Sequence, residues 1–98
     1  GNITSQATML AHQKMEEIRT TPFADLPAPG VPDPENNLDA EGTAGAGIYN
    51  RTTTISLPLD LDLASHAREV TVDVQWNAAH GGNRTVTLRS LTYERWTP

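Results

Sequence analysis

The side chains best placed for chemistry are the oxygen donors of Asp33-Pro-Glu-Asn-Asn-Leu-Asp-Ala-Glu41. Asp33, Glu35, Asn37, Asp39 and Glu41 recur at every second position, the cadence at which a calcium loop offers ligands. The match stops there. A calcium loop needs glycine at its sixth position and a bidentate glutamate at its twelfth, and this stretch holds Leu38 and Ala44 instead. Asp33, Glu35, Asn37 and Asp39 are therefore a weak calcium candidate, set against the plainer reading of a solvated acidic loop.

Other constellations are thinner still. His12, His66 and His80 are far apart, and no pair has metal-ligand spacing, so solvated imidazoles account for them. Ser65, His66 and Asp62 could be drawn as a hydrolytic triad, but neighbours in a polar loop are not one, because a triad is defined by geometry. No glycine-rich phosphate cradle follows a strand, and no carboxylate pair is flanked by the apolar residues that would raise one pKa. There are no cysteines, which excludes thiol chemistry and disulfides. The expectation is a non-catalytic protein without a cofactor.

Charge narrows the partners. The net charge is −5 and the isoelectric point about 4.9, so the overall field attracts neither nucleic acid nor anionic lipid. Arg51, Arg84 and Arg89 could form a local basic stripe on a sheet, although cross-strand pairing with Asp73 or Glu69 is the plainer role. The glycosylation sequons at Asn2, Asn50 and Asn83 are read as incidental.

Three sections must position these residues within the single domain that 98 residues allow. Residues 1–21 are read as an amphipathic helix. At 100° per residue Ile3, Ala7, Leu10, Ala11, Met15 and Ile18 share one stripe, with Lys14 inside it, Met9 opposite and Gln13, Glu16, Glu17 and Arg19 on the polar side. Pro22 ends the run because the residue before a proline is driven out of the α region. Residues 22–47 are read as an acidic Pro/Gly-rich connector, extended or loose, with Phe23 and Leu26 pinning it to the core.

Residues 48–98 read as β structure. Three strands are expected over 48–57, 69–76 and 84–93. Tyr49, Thr53, Ile55 and Leu57 share a face of the first; Val70, Val72, Val74 and Trp76 point inward on the second. Val86 and Leu88 share a face of the third, with a bulge or register change before Leu91 and Tyr93. Pro58 ends the first strand, and a glycine-bearing loop over 77–83 joins the last two. Trp96 either covers the sheet edge or is exposed. The fold class expected is α+β, with the helix's C-terminal half packed on a small three-stranded antiparallel sheet.

The run Ala7-Thr-Met-Leu-Ala-His-Gln-Lys-Met-Glu-Glu-Ile-Arg-Thr-Thr-Pro-Phe-Ala-Asp-Leu26 resembles the stretch that follows the membrane segment in minor type IV pilins. A pattern of the form A-x-x-L-A-x-x-K-x-E-E-L-R-x-x-P-[YF]-x-x-L is common there, above all in PilV-type subunits, and GspI-type pseudopilins of type II secretion carry a similar run. Ile48–Ile55, Val70–Trp76 and Gly81–Leu88 resemble that family's strand segments in order, so the likeness covers about two thirds of the chain. The family's cleavage site, N-terminal Phe and membrane-helix Glu have no counterpart. No run of about 18 apolar residues is present, so Gly1 is expected to be a scar or a truncation point, with the upper half of the helix missing.

The resemblance implies a pilin-like fold and a non-catalytic subunit that takes part in pilus assembly or tip formation. It implies an inner-membrane precursor with this domain on the periplasmic side, and a mature form in a cell-surface pilus. Its partners would be other major and minor pilins, reached through the N-terminal helix, and the inner membrane, reached through the missing segment. Met9, Leu10, Lys14, Met15 and Ile18 are the expected subunit contacts, with Met9 and Leu10 exposed for want of a partner in this chain. A lysine in an apolar stripe suits a subunit contact better than a closed core, although its stem can snorkel. A type II secretion pseudopilin is a close variant. An adhesin or DNA receptor is the alternative, and an exposed aromatic or basic patch on the sheet would mark it.

Overall fold

The amphipathic run folds as helix α1 (Ile3–Thr20) in a computed structural model that describes residues 3–78 and 81–94. Its end is set chemically. The hydroxyls of Thr20 and Thr21 donate to the carbonyls of Glu16 and Glu17, at 3.0, 3.1 and 2.7 Å, and the Glu17 oxygen is one that the helix end leaves without an intrahelical amide partner. Pro22 then blocks continuation, and a 3₁₀ turn over Phe23–Asp25 redirects the chain.

Beyond this turn the chain forms a sheet: β1 (Asp33–Leu38), β2 (Tyr49–Ser56), the short helix α2 (Leu61–Ala64), β3 (Ala67–Ala78) and β4 (Gly82–Tyr93). The strands lie in sequence order and all pair antiparallel. The α+β class and the helix-on-sheet packing stand as expected, but the sheet has four strands and not three. The extra one, β1, comes from the stretch read as connector. Asp, Pro and Asn are poor strand formers, so no propensity or alternation announces it. Pairing creates it instead, with Asp33 opposite Thr53, Glu35 opposite Arg51 and Leu38 opposite Tyr49. Pro34 is tolerated because β1 is an edge strand.

The β1 register slips between Glu35 and Leu38, where Asn37 adopts φ 58°. Gly47 folds back against this irregularity, and its amide donates to the Asn37 carbonyl at 3.0 Å. A Cβ at Gly47 would stand 1.8 Å from the Leu38 oxygen, so only glycine fits.

Two other strand expectations are corrected. β2 ends at Ser56, so Leu57 leaves the sheet before it can take a core position and is 51% exposed. The β3–β4 ladder runs without a slip from Ala67 opposite Tyr93 to Ala78 opposite Gly82, so there is no bulge before Leu91. Unbroken alternation therefore turns Thr92 inward and puts Leu91 and Tyr93 on the outer, exposed face. Parts of the 77–83 loop, including His80, lie outside the described residues, as do Trp96 and Asn2.

One core joins helix and sheet. Ala7, Leu10, Ala11, Met15 and Ile18 of α1 pack against Leu38, Tyr49, Ile55, Val70, Val72, Val74 and Trp76. Fully burying one such Leu or Val contributes about 1.5–3 kcal/mol, so the stripe accounts for the docking. Contact extends along nearly the whole helix, beyond its expected C-terminal half: the Tyr49 hydroxyl donates to Gln6 Oε1 at 2.6 Å near the N-terminus. Tyr49 also meets Trp76 edge-on, centroids 6.1 Å apart. Leu26 packs on the core as expected, whereas Phe23 is held outside the core cluster, its ring centroid 4.8 Å from the Arg68 guanidinium.

Candidate functional site

The densest polar chemistry in the fold lies between α1 and the β1–β2 edge. β2 alternates, so Arg51 points to the same side as Tyr49, Thr53 and Ile55, under the helix. β1 brings Glu35 opposite it. Gln13 and Lys14 reach down from α1. Three elements thus deliver one cluster of opposite charges around a buried arginine.

Arg51 is the hub, 4% exposed. Its Nε donates to Glu35 Oε1 at 3.0 Å and its Nη2 to Oε2 at 2.9 Å, a two-pronged fork. Its Nη1 donates to the Leu10 carbonyl at 2.9 Å and to Gln13 Oε1 at 2.8 Å. These bonds satisfy most of the guanidinium's donors, as a buried charge requires. Lys14 Nζ lies 3.3 Å from Glu35 Oε1 and 2.7 Å from Glu17 Oε2. Gln13 Nε2 donates to the Glu41 carbonyl at 3.1 Å, which ties the loop after β1 to the same cluster.

The two titrating members are pulled apart. Burial alone would raise the Glu35 carboxyl, but the hydrogen bonds and charge of Arg51, with Lys14 behind them, outweigh it and hold Glu35 below its ordinary value. Burial alone would lower Lys14, but its bond to Glu17 and the charges of Glu35 and Glu17 outweigh it and raise Lys14 above its ordinary value. Both groups are locked in their charged forms at neutral pH. A carboxylate held ionised between two cations is a poor proton acceptor, so the arrangement is suited to clasping helix to sheet and not to acid–base catalysis.

The same geometry corrects the calcium candidate. Glu35 spends both oxygens on Arg51 and Lys14. Asp39 turns one oxygen to the backbone amides of Glu41 and Thr43, at 2.9 Å each, closing a local turn. Asp33 and Asn37 stay on the exposed edge. The alternation of oxygens at 33, 35 and 37 reflects the pleat of β1 and the slip within it, which a calcium loop does not contain. Among the described residues no group of three or more His, Asp or Glu side chains could hold a metal ion.

The drawn triad does not assemble either. The His66 ring meets Glu94 at 3.1 Å in place of Asp62, and Asp60 caps α2 by accepting from the Asp62 amide at 2.9 Å. The basic stripe does not form, because Arg51 is buried on the inner face while Arg89 alternates to the opposite face. Asp73, its expected partner, accepts from Thr87.

The five expected subunit contacts part company. Leu10, Met15 and Ile18 are buried against the chain's own sheet, because they carry the stripe that docks α1. Lys14 is occupied by Glu17 and Glu35. Only Met9, 68% exposed, is open to a partner, joined at the first turn by the half-exposed Ile3. The lysine in the apolar stripe is thus matched by acids inside the molecule. Sequence reasoning missed this clasp, although a signal existed: Arg51 lies in phase with the inward residues of β2.

No helix among the described residues is long and apolar enough to cross a membrane. Comparison with protein-family models, with curated proteins and with solved structures finds no match for this chain.

Proposed function

We propose that the protein is a non-catalytic structural subunit of a type IV pilus, a minor pilin of the PilV kind that takes part in fibre assembly or tip formation. The observation that carries this reading is the run Ala7–Leu26. Its pilin-like pattern coincides with one docked helix, a break at Thr20-Thr21-Pro22 and a Leu26 anchor on an antiparallel sheet. The polar chemistry of the cluster at Arg51 is spent on holding that helix to the sheet, which suits a load-bearing subunit. In this reading sister pilins contact α1 through the side turned away from the sheet, with Met9 at its centre. The fibre lies on the cell surface, and the precursor is anchored in the inner membrane with this domain in the periplasm. A type II secretion pseudopilin would use the same contacts. The adhesin or DNA-receptor alternative, marked by an exposed aromatic or basic patch on the sheet, draws no support from Arg51, which is withdrawn from the surface.

The test is a photo-crosslinking residue at Met9 of the native gene, combined with deletion of that gene. Crosslinks to pilin subunits and loss of surface fibres on deletion are expected. Crosslinks with intact fibres and a loss of protein secretion would move the reading to the pseudopilus. Intact fibres and secretion without any crosslink would overturn both.

A further inference from the structure

We infer that the leucine loop between β2 and β3 is a docking surface for a segment of another protein whose apolar side chains are flanked by lysine or arginine. The loop runs Leu57-Pro-Leu-Asp-Leu-Asp-Leu63. Leu59 is 98% exposed, Leu61 83%, Leu57 51% and Leu63 40%. Single exposed leucines are ordinary on protein surfaces, but here four, each 40% or more exposed, lie within seven residues of chain, a local concentration of apolar surface. Val31 extends it: the Gly30 amide donates to the Ile55 carbonyl at 2.7 Å, which brings Val31, 59% exposed, beside the end of β2.

The leucines are not needed to shape the loop. Asp60 accepts from the Asp62 amide through its side chain, and from the Leu63 and Ala64 amides through its carbonyl, at 2.9, 3.1 and 3.0 Å. The His66 amide then closes on the Leu63 carbonyl at 2.9 Å. Polar bonds hold the turn while Leu59 and Leu61 stand in water and Leu57 and Leu63 stay half-exposed. That arrangement wastes apolar surface in the free chain and suits a partner that covers it.

Charge identifies the partner. Asp60 and Asp62 alternate with the leucines, and no Lys or Arg occurs from Thr52 to His66. The cations on either side are engaged elsewhere: Arg51 is buried on Glu35, and Arg68 donates to the Ala64 and Ala67 carbonyls while lying over Phe23. A second copy joined through the same patch would set these aspartates against themselves. An anionic bilayer would be repelled in the same way. An apolar segment with a basic border complements both features. The inference is independent of the pilin reading, because it uses neither α1 nor the run Ala7–Leu26.

The experiment titrates the whole chain with two labelled amphipathic helical peptides, one of leucine and lysine and one of leucine and glutamate, by fluorescence anisotropy. The leucine–lysine peptide is expected to bind at about 10–100 μM, and the leucine–glutamate peptide about tenfold or more weakly. The double variant Leu59→Ser/Leu61→Ser is expected to lose about tenfold or more in affinity for the leucine–lysine peptide at an unchanged melting temperature, since the loop's own bonds remain. No binding, equal binding of the two peptides, or a double variant that binds like the parent would overturn the inference. So would a dimer in sedimentation that the double variant abolishes, which would make a second copy the occupant. Flotation of the parent chain with phosphatidylcholine vesicles, lost in the variant, would make it lipid and overturn the inference equally.

Discussion

Arg51 and Glu35 face each other directly in the β1–β2 ladder and close a two-pronged ion pair, 3.0 and 2.9 Å long, beneath helix α1. The pair is at once a cross-strand contact and a tertiary one, because the same guanidinium donates to the Leu10 carbonyl. β1 carries little apolar surface beyond Leu38, so this pair is a main side-chain tie between it and the rest of the fold. Desolvating two charges is costly, and the additional bonds from Leu10, Gln13 and Lys14 offset that cost.

Breaking the pair should therefore cost more than removing it. Arg51→Met leaves Glu35 half-buried beside Lys14 alone and should lose about 3 kcal/mol. Arg51→Met combined with Glu35→Leu removes both charges and should recover most of that loss. Urea denaturation of the two single variants and the double variant forms the test. Additive losses across the three would mean that the two residues do not act as a pair.

Stability should fall in acid through Glu35. Its carboxyl titrates below the ordinary value of 4.5 in the folded chain. The unfolded state binds the proton first, so the contribution is complete above that ordinary value and disappears as pH drops through the folded one. Melting temperatures followed by circular dichroism from neutral to about pH 3 should decline more steeply for the parent than for Glu35→Gln. Parallel curves would assign the acid transition to other carboxylates.

Thr53 offers a gain. It is 2% exposed, and its hydroxyl has no hydrogen-bond partner among the described residues. A buried hydroxyl without a partner carries a desolvation cost and returns nothing. Thr53→Val keeps the shape, suits a strand and should stabilise the fold by about 1 kcal/mol. Thermal unfolding measures it, and a loss of similar size would show that the hydroxyl is satisfied.

The parts legible in the sequence were those with a repeating apolar period. The stripe Ala7, Leu10, Ala11, Met15 and Ile18 and the alternation Val70, Val72, Val74 and Trp76 each identify an element and its buried face, and both reach the core. β1 was not legible because it is a strand by pairing: Asp33-Pro-Glu-Asn-Asn has no apolar alternation, and its partner strand lies more than ten residues away. The clasp was hidden for a related reason. A charged residue at an inward position reads as an exposed one until its counter-charge is known, and Glu35 belonged to a stretch with no visible structure. The leucines of the 57–63 loop err the other way, since apolar type suggests burial and their exposure depends on where β2 stops.

Met9 and Leu10 are neighbours on α1 with opposite environments, 68% and 1% exposed. Leu10→Ala opens space beneath the helix against the Val and Trp side chains of β3 and should cost about 3 kcal/mol. Met9→Ala removes a side chain already in water and should change stability by no more than about 0.5 kcal/mol. Denaturant midpoints at constant slope would establish the contrast, and equal losses would mean that the helix is rotated about its axis. The contrast also governs how assembly defects are read. Under the proposed subunit role, loss of assembly in a Leu10 variant is confounded with unfolding, whereas a Met9 variant that keeps its stability and loses its crosslinks reports directly on the outer surface of the helix.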